Sequence, residues 1–109
     1  MTYKINLTPY NYTIKQPNAK GEEVVVIKKF EVKDGIRNVM LNPRQAHRGF
    51  RAYTVALVAK KISTCPDDSV VLSGVEYQVV KESFDNMTGW GPHDGELLVR
   101  IYEAEKTDA

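Results

Sequence analysis

The sequence predicts an α+β fold: a single small domain in which an N-terminal β-hairpin packs against two or three helices. Three observations predict this class, namely strand-like alternation near the start, a proline-led helix start in the middle and a serine capping motif in the last third. The chain has 109 residues, against a usual domain size of roughly 100 to 150. We divide this single domain, 1–109, into a hairpin region at 1–35, a basic helix at 42–62 and an acidic helical region at 73–105.

The hairpin is predicted from two strand-like segments and the turn between them. Residues 8–15 alternate apolar and polar side chains, which is the period of a half-buried strand. Residues 16–21 supply proline, asparagine and glycine for a turn, and residues 22–32 are rich in valine and isoleucine. A second turn at Asp34-Gly35 would close the pair of strands.

The basic helix is predicted from the Asn42-Pro43 pair. Asparagine can accept a backbone N–H as N-cap, and proline at the next position lacks only a donor that would be unpaired there. The helix would run to Ile62 and carry one apolar stripe, the arrangement of a helix packed against a core. The stripe is spaced by four, three and four: Ala46, Phe50, Tyr53 and Leu57. Residues 53–58 are also β-branched enough to form a strand instead, and Gly49 costs a helix about 1 kcal/mol relative to alanine.

The acidic region begins with the clearest local motif. Ser73 and Glu76 fit a capping box, in which each side chain bonds the other residue's backbone N–H. The helix opened there would end before Gly89 and carry its own apolar stripe: Tyr77, Val80, Phe84 and Met87. A last helix is predicted from about residue 92 or 94 to residue 105, with three apolar side chains on its buried side: Leu97, Leu98 and Ile101.

The net charge of +1 conceals a strong segregation of charge along the chain. Residues 35–66 carry six basic residues and no acidic one. Residues 67–109 carry ten acidic residues against three basic ones. Such asymmetry indicates either a charged partner or pairing of the two regions with each other.

Three arginines of the basic region are candidate partner-binding residues. Arg44, Arg48 and Arg51 recur at four and three, so on the predicted helix they share one face. Arg44 and Arg48 would lie near the helix N-terminus, where the helix dipole disfavours cations, so local stability does not explain them. A contact with phosphate or with an acidic protein would use the bidentate arginine fork. The plainer alternative is a solvated face, or pairing with the acidic helices of the same molecule.

Trp90 is the fourth candidate partner-binding residue. It lies between glycines in a segment without periodicity. A tryptophan in such a loop usually plugs the edge of the core, and otherwise it is an exposed anchor of the kind enriched in interface hot spots.

Composition and spacing argue against an enzyme and against a membrane protein. His47, Cys65 and His93 are separated by 18 and 28 residues and match no CxxC, HxH or HExxH spacing. We therefore expect no metal site, no cofactor, no small-molecule substrate and no catalysis. No apolar run approaches the roughly 18 residues of a membrane span, and no signal peptide begins the chain. A cytoplasmic protein is the expectation.

The order of residues in two parts of the chain is similar to that in a known group of proteins. The first part is residues 30–43, and the second is residues 71–84 followed by 97–105. This order resembles that of small proteins carried by tailed bacteriophages and prophages, some of which are accessory or assembly components. The resemblance implies a viral or host protein as partner, with residence in the host cytoplasm or the virion, and it assigns no residue a role.

Two functions follow as hypotheses. The first is a non-catalytic interaction or assembly protein, which binds an acidic protein surface or self-associates. The second is a small nucleic-acid-binding module that uses the face formed by Arg44, Arg48 and Arg51.

Overall fold

The computed structural model describes residues 1–107 of the chain. Their strands and helices are, in order, β1 (Thr2–Asn6), β2 (Tyr10–Pro17), β3 (Glu23–Phe30), α1 (Val32–Met40), α2 (Gly49–Ser63), β4 (Ser69–Ser73), α3 (Gly74–Asn86), α4 (Gly95–Tyr102) and β5 (Glu105–Thr107). Short 3-10 turns, Pro43–Gln45 and Pro92–Asp94, precede α2 and α4. Antiparallel strands with helices packed on them, in one small unit, confirm the predicted α+β class.

β1 is the central strand of a three-stranded antiparallel sheet, with β4 on one side and β5 on the other. Ile5 of β1 and Leu72 of β4 are fully buried against the helices. Tyr3 stacks on Tyr77 of α3, with ring centroids 4.1 Å apart, and the Tyr77 hydroxyl donates to the carbonyl of Ile101 at 2.6 Å. Tyr77 therefore joins the sheet to both C-terminal helices. Neither β1 nor β5 is predicted from the sequence, because each is short and pairs with residues far along the chain.

The predicted N-terminal hairpin is confirmed as β2 and β3, which form a separate two-stranded sheet. In its turn the Asn18 side chain accepts from the N–H groups of Lys20 and Glu22, at 2.9 and 3.0 Å, and Gly21 has a φ of +79°. At the base of the hairpin Tyr10 stacks on Phe30, with centroids 5.0 Å apart. The hairpin is thus anchored by aromatic side chains at one end only, while its turn end is exposed.

The second turn predicted at Asp34-Gly35 is wrong, because both residues lie inside α1. Gly35 serves packing rather than a turn, since a Cβ at this position would lie 2.5 Å from the Phe30 ring. The ring of the hairpin's last residue therefore packs directly on the α1 backbone. The sequence alone does not distinguish these two roles, because a turn and a close approach of the backbone both favour glycine.

The helices bury their apolar sides against the main sheet and each other. The fully or nearly buried side chains come from all four helices: Val32, Ile36, Met40, Val55, Val58, Ala59, Ile62, Tyr77, Val80, Phe84, Leu97 and Ile101. The stripes predicted for α3 and α4 are buried at these positions, with Met87 and Leu98 half-buried. Within residues 1–107, no helix has both the length and the apolar character needed to cross a membrane.

The continuous helix predicted over residues 42–62 is wrong. Asn42 does act as an N-cap, and its side chain accepts from the N–H of Arg44 at 2.9 Å. The helix begun there lasts one 3-10 turn and ends at Ala46, whose φ of +52° is left-handed. Gly49 also has a positive φ, +50°, and starts α2. The glycine that counts against a helix interior instead marks the place where the chain changes direction.

The capping box at the start of α3 is confirmed. Ser73 Oγ accepts from the N–H of Glu76 at 3.1 Å, and Glu76 Oε1 accepts from the N–H of Ser73 at 2.9 Å. The last helix, α4, ends at Tyr102 rather than at the predicted residue 105, because the chain there turns into β5 and pairs with β1.

We predict that Ser73→Ala lowers the free energy of unfolding by about 1 kcal/mol, because the N–H of Glu76 loses its acceptor. Urea denaturation followed by circular dichroism measures this change. Ser73→Asp keeps an oxygen acceptor at the N-cap and should lose less than half as much. Equal losses in the two variants would contradict a role for the cap.

Glu76 also connects α3 to α2, because its carboxylate lies 3.0 Å from Lys61 Nζ. Burial raises the pKa of this carboxyl. The bond from the Ser73 N–H and the attraction of Lys61 outweigh burial, so the net pKa lies below its ordinary value of 4.5. A carboxyl whose pKa is lowered by folding stabilises the folded state at pH values above its unfolded pKa. That stabilisation disappears as the pH falls through the folded pKa.

We predict that Glu76→Gln, which keeps an acceptor for the cap but removes the charge, is less stable than the wild type by about 0.5 kcal/mol near pH 7. The difference should shrink as the pH is lowered below 4.5 and through the folded pKa of Glu76. Urea denaturation of both proteins across this range measures it. A difference that stays constant with pH would show that charge plays no part.

Candidate interaction surface

The structure separates the three arginines that the sequence places on one helical face. Arg44 lies in the 3-10 turn, Arg48 is the N-cap residue of α2, and Arg51 lies within α2. The left-handed residue between the two segments removes the continuous helix on which their spacing depended. Arg51 forms an ion pair with Glu82 of α3. Pairing with the acidic helices, the plainer alternative, therefore holds for one of the three.

Three cations of the basic region have no neutralising carboxylate among residues 1–107. Lys61 pairs with Glu76, as Arg51 does with Glu82. Arg44, Arg48 and Lys60, by contrast, are exposed and have no carboxylate within 4.0 Å among residues 1–107. Glu96 of the acidic region pairs with Arg100 of its own helix. The charge segregation of the sequence is therefore only partly compensated within the fold.

The apolar stripe predicted to pack α2 on the core faces outward instead. Phe50, Tyr53 and Leu57 are 80%, 58% and 50% exposed. Phe50 and Tyr53 contact each other, with ring centroids 6.0 Å apart. At 3.6 residues per turn, the spacing of three and four keeps the three side chains in one row on the helix surface. We call this row the α2 stripe.

The core uses the opposite side of the same helix. Its buried side chains are Val55, Val58, Ala59 and Ile62, also spaced by three and four. The sequence of α2 therefore contains two apolar faces, and only tertiary packing selects which one is buried. A count of apolar positions around the whole helix, rather than the search for one stripe, would have revealed the second face. The residues of the α2 stripe are predicted from the sequence to be buried, but they are exposed, and we regard them as the candidate site.

Cations border the α2 stripe at both of its ends. Lys60 follows Leu57 by three and Tyr53 by seven residues, so it continues the stripe toward the helix C-terminus. Arg48 immediately precedes the helix, two residues before Phe50. α2 itself contains no acidic residue. The surface is therefore apolar at its centre and positive at its ends.

A small cavity opens beside the start of α2. It has a volume of about 230 Å³ and is lined mainly by apolar side chains: Leu41, Asn42, Pro43, Ala46, His47 and Ala52. The Nε2 atom of His47 is buried and has no hydrogen-bond partner among residues 1–107. The segment is held in place by Gln45, whose side-chain amide donates to the carbonyls of Val39 and Ser83, at 3.0 and 2.7 Å.

Trp90, the fourth predicted site residue, is half-buried at the edge of the core. Its ring stacks on Phe84, with centroids 5.5 Å apart and planes 14° from parallel. Its indole N–H donates to the carbonyl of Met87 at 3.1 Å. The ring and the polar group of Trp90 thus both make contacts within the molecule, as expected of a tryptophan that fills the edge of the core.

A second, larger cleft lies between α4 and the uncovered end of β1. Its volume is about 550 Å³, and its lining includes Lys4, Asp68, Arg100 and Glu103. Arg100 is already bonded to Glu96 and donates to the carbonyl of Thr8. The cleft is wide open and its central cation serves the structure.

The three residues considered for catalysis or metal binding lie on different elements. His93 packs on Tyr12 of the hairpin, and the thiol of Cys65 donates to the carbonyl of Ser69 at 3.4 Å. Within residues 1–107, no group of three or more His, Cys, Asp or Glu side chains is arranged to hold a metal ion.

Comparison with protein-family models, with curated proteins and with solved structures found no match to this chain. The resemblance of residues 30–43, 71–84 and 97–105 to tailed-phage proteins therefore stays a prediction.

Proposed function

We propose that this protein is a non-catalytic interaction protein that binds an acidic, amphipathic segment of a partner protein through the α2 stripe. The observation that carries this proposal is the exposure of Phe50, Tyr53 and Leu57 in one row. Single exposed apolar residues are ordinary, but a row of two aromatic residues and a leucine is the composition of an interface centre.

The spacing of the stripe indicates the shape of the partner. Three anchors at positions i, i+3 and i+7 of a helix pack against the matching row of another helix. The partner segment is accordingly a helix with one apolar face. The cavity beside α2 adds a place for one further side chain of the partner. There a hydroxyl or carboxyl group would give the buried Nε2 of His47 a partner.

Charge indicates the composition of the partner's polar side. Arg48 and Lys60 lie at the ends of the stripe, Arg44 lies in the 3-10 turn before α2, and none of the three is neutralised within residues 1–107. Acidic residues at the two ends of the partner helix would pair with them, while the apolar centre excludes water. A basic partner would be repelled, so charge sets specificity and the aromatic residues supply most of the affinity.

The biological setting proposed rests on the resemblance to tailed-phage proteins alone. On that basis the protein is an accessory or assembly component that binds a viral or host protein, in the host cytoplasm or in the virion.

Binding of a designed peptide tests the proposed surface. The probe is a fluorescein-labelled amphipathic helix with leucines on one face and glutamates on the other. We expect it to bind, and Phe50→Ala and Leu57→Ala each to raise the Kd about tenfold, which is about 1.4 kcal/mol. Fluorescence anisotropy measures the Kd.

Two controls accompany this measurement. Val99→Ala removes a side chain of α4 that is 48% exposed, close to the exposure of Leu57, and should leave the Kd unchanged. A second peptide, with lysines in place of the glutamates, should bind at least about tenfold more weakly because the surface is positive. Equal affinity for the two peptides, or no effect of Phe50→Ala, would contradict the proposal.

The nucleic-acid hypothesis has a separate test. Arg44, Arg48 and Arg51 are spread over two segments, and one of them is already paired, so few phosphates can be neutralised together. We predict no binding to mixed DNA or RNA oligonucleotides tighter than about 10⁻⁴ to 10⁻⁶ M at 0.15 M salt, the range of non-specific contacts. Anisotropy titration measures this. Submicromolar binding that disappears when all three arginines become alanine would make nucleic acid the partner instead.

A further inference from the structure

The outer edge of β3 is a long strand edge without a partner. β3 pairs with β2 on one side, and no strand of residues 1–107 lies on its other side. Its apolar side chains are exposed, with Val25 at 64% and Ile27 at 69%. An exposed apolar strand edge is a template for pairing with another chain, and native proteins usually block such an edge with charge, proline or a bulge. The pairing of β3 with β2 is regular along all eight residues.

The ladder with β2 determines which backbone groups of β3 point outward. Hydrogen-bonded and non-hydrogen-bonded pairs alternate along an antiparallel ladder. The N–H of Asn18 donates to the carbonyl of Glu22 at 2.8 Å, which makes this a hydrogen-bonded pair. The next pair, Pro17 with Glu23, is therefore non-hydrogen-bonded, in agreement with the missing N–H of proline.

Counting by two from Glu23 gives the residues whose N–H and C=O groups point away from β2. They are Glu23, Val25, Ile27 and Lys29. A second strand can hydrogen-bond to β3 only through these four residues. Their order is acidic, apolar, apolar, basic, so the outward-facing edge is complementary to itself when reversed.

We propose that two copies of this chain pair through β3, antiparallel and around a two-fold axis at Val26, to form a four-stranded sheet. In this register Glu23 lies opposite Lys29 of the second copy, and Val25 lies opposite Ile27 of the second copy. Both pairs join outward-pointing residues, as the hydrogen bonds require. Each pair occurs twice, because an interface with two-fold symmetry uses the same surface on both copies.

Neighbouring registers are less favourable. A shift by one residue places outward-pointing groups opposite groups that already bond to β2. A shift by two places Glu23 opposite Ile27, or Lys29 opposite Val25, so each charge faces an apolar side chain. Opposite charges across strands and apolar cross-strand pairs each contribute roughly 0.2 to 1 kcal/mol, so one register is preferred.

The outer edge of β2 does not offer the same match. Its sequence, from Tyr10 to Pro17, contains one basic residue, Lys15, and no acidic one. Pro17 also lacks an outward N–H. In β3 itself, Lys29 is 3.2 Å from Glu31, but both side chains are at least half exposed, so this contact is weak and exchanges readily.

The pairing is expected to be weak and reversible, because one strand pair buries less than the roughly 1,200 to 2,000 Å² of a standard interface. It uses a surface separate from the α2 stripe, so it does not depend on the function proposed above. Phe50→Ala should leave it intact, which separates failure of one proposal from failure of the other.

Charge reversal tests the register. Sedimentation equilibrium should give a monomer–dimer equilibrium for the wild type, with the dimer dissociating on dilution because the interface is small. Glu23→Lys places lysine opposite Lys29, and Lys29→Glu places glutamate opposite Glu23, so each variant alone should be monomeric. The double variant should dimerise again, and so should an equimolar mixture of the two single variants. Lys15→Glu, an equal charge change on β2, should still dimerise.

Amide exchange tests the edge itself. In NMR spectra, exchange of the Val25 and Ile27 N–H groups should slow as the protein concentration rises. Exchange of the Val24 and Val26 N–H groups, which point to β2, should not depend on concentration. Val25→Pro removes only an outward N–H and should abolish dimerisation while the circular dichroism spectrum is retained. A wild type that stays monomeric at millimolar concentration, or single charge variants that still dimerise, would overturn the proposal.

Discussion

The rotation of α2 about its own axis is the constraint on which the surface of this protein depends. The helix has two apolar faces, and burial of Val58 and Ile62 turns the other face outward. Two ion pairs with α3 accompany this rotation, Arg51 with Glu82 near the start of the helix and Lys61 with Glu76 near its end. Each exposed ion pair contributes little stability, so burial of the valine and isoleucine side chains sets the orientation of the helix. The ion pairs form as a result of that orientation.

Orientation of α2 also decides which charges remain free. The carboxylates of α3 neutralise the two cations that lie toward α3, and Lys60 and Arg48 stay without a carboxylate within residues 1–107. The oppositely charged regions of the sequence therefore neutralise each other only in part within the fold. Two glutamates of the acidic region pair with cations of α2, and part of the basic region borders the exposed α2 stripe.

What the sequence predicts correctly rests on local interactions. The capping box at Ser73 and the hairpin turn at Asn18 involve residues within four positions of each other, so their patterns are complete in the sequence. The errors arise where distant contacts decide. Gly35 needs the ring of Phe30, β5 needs β1, and the choice between the two faces of α2 needs the whole core. The three candidate arginines do not share one helical face for a further reason. Ala46 is left-handed and interrupts the continuous helix on which their shared face depended.

The two surfaces differ in what they require from a partner. β3 carries both the acid and the base of its own ion pairs, so a second copy of the chain satisfies it completely. The charged residues that border the α2 stripe are cations only, so their complement must come from acidic residues outside the basic region. Glu76 and Glu82 already pair with Lys61 and Arg51 of α2 in each copy. A dimer paired through β3 would present the α2 stripe twice. Two linked binding surfaces raise the apparent affinity for a partner with repeated acidic segments, without any new contact.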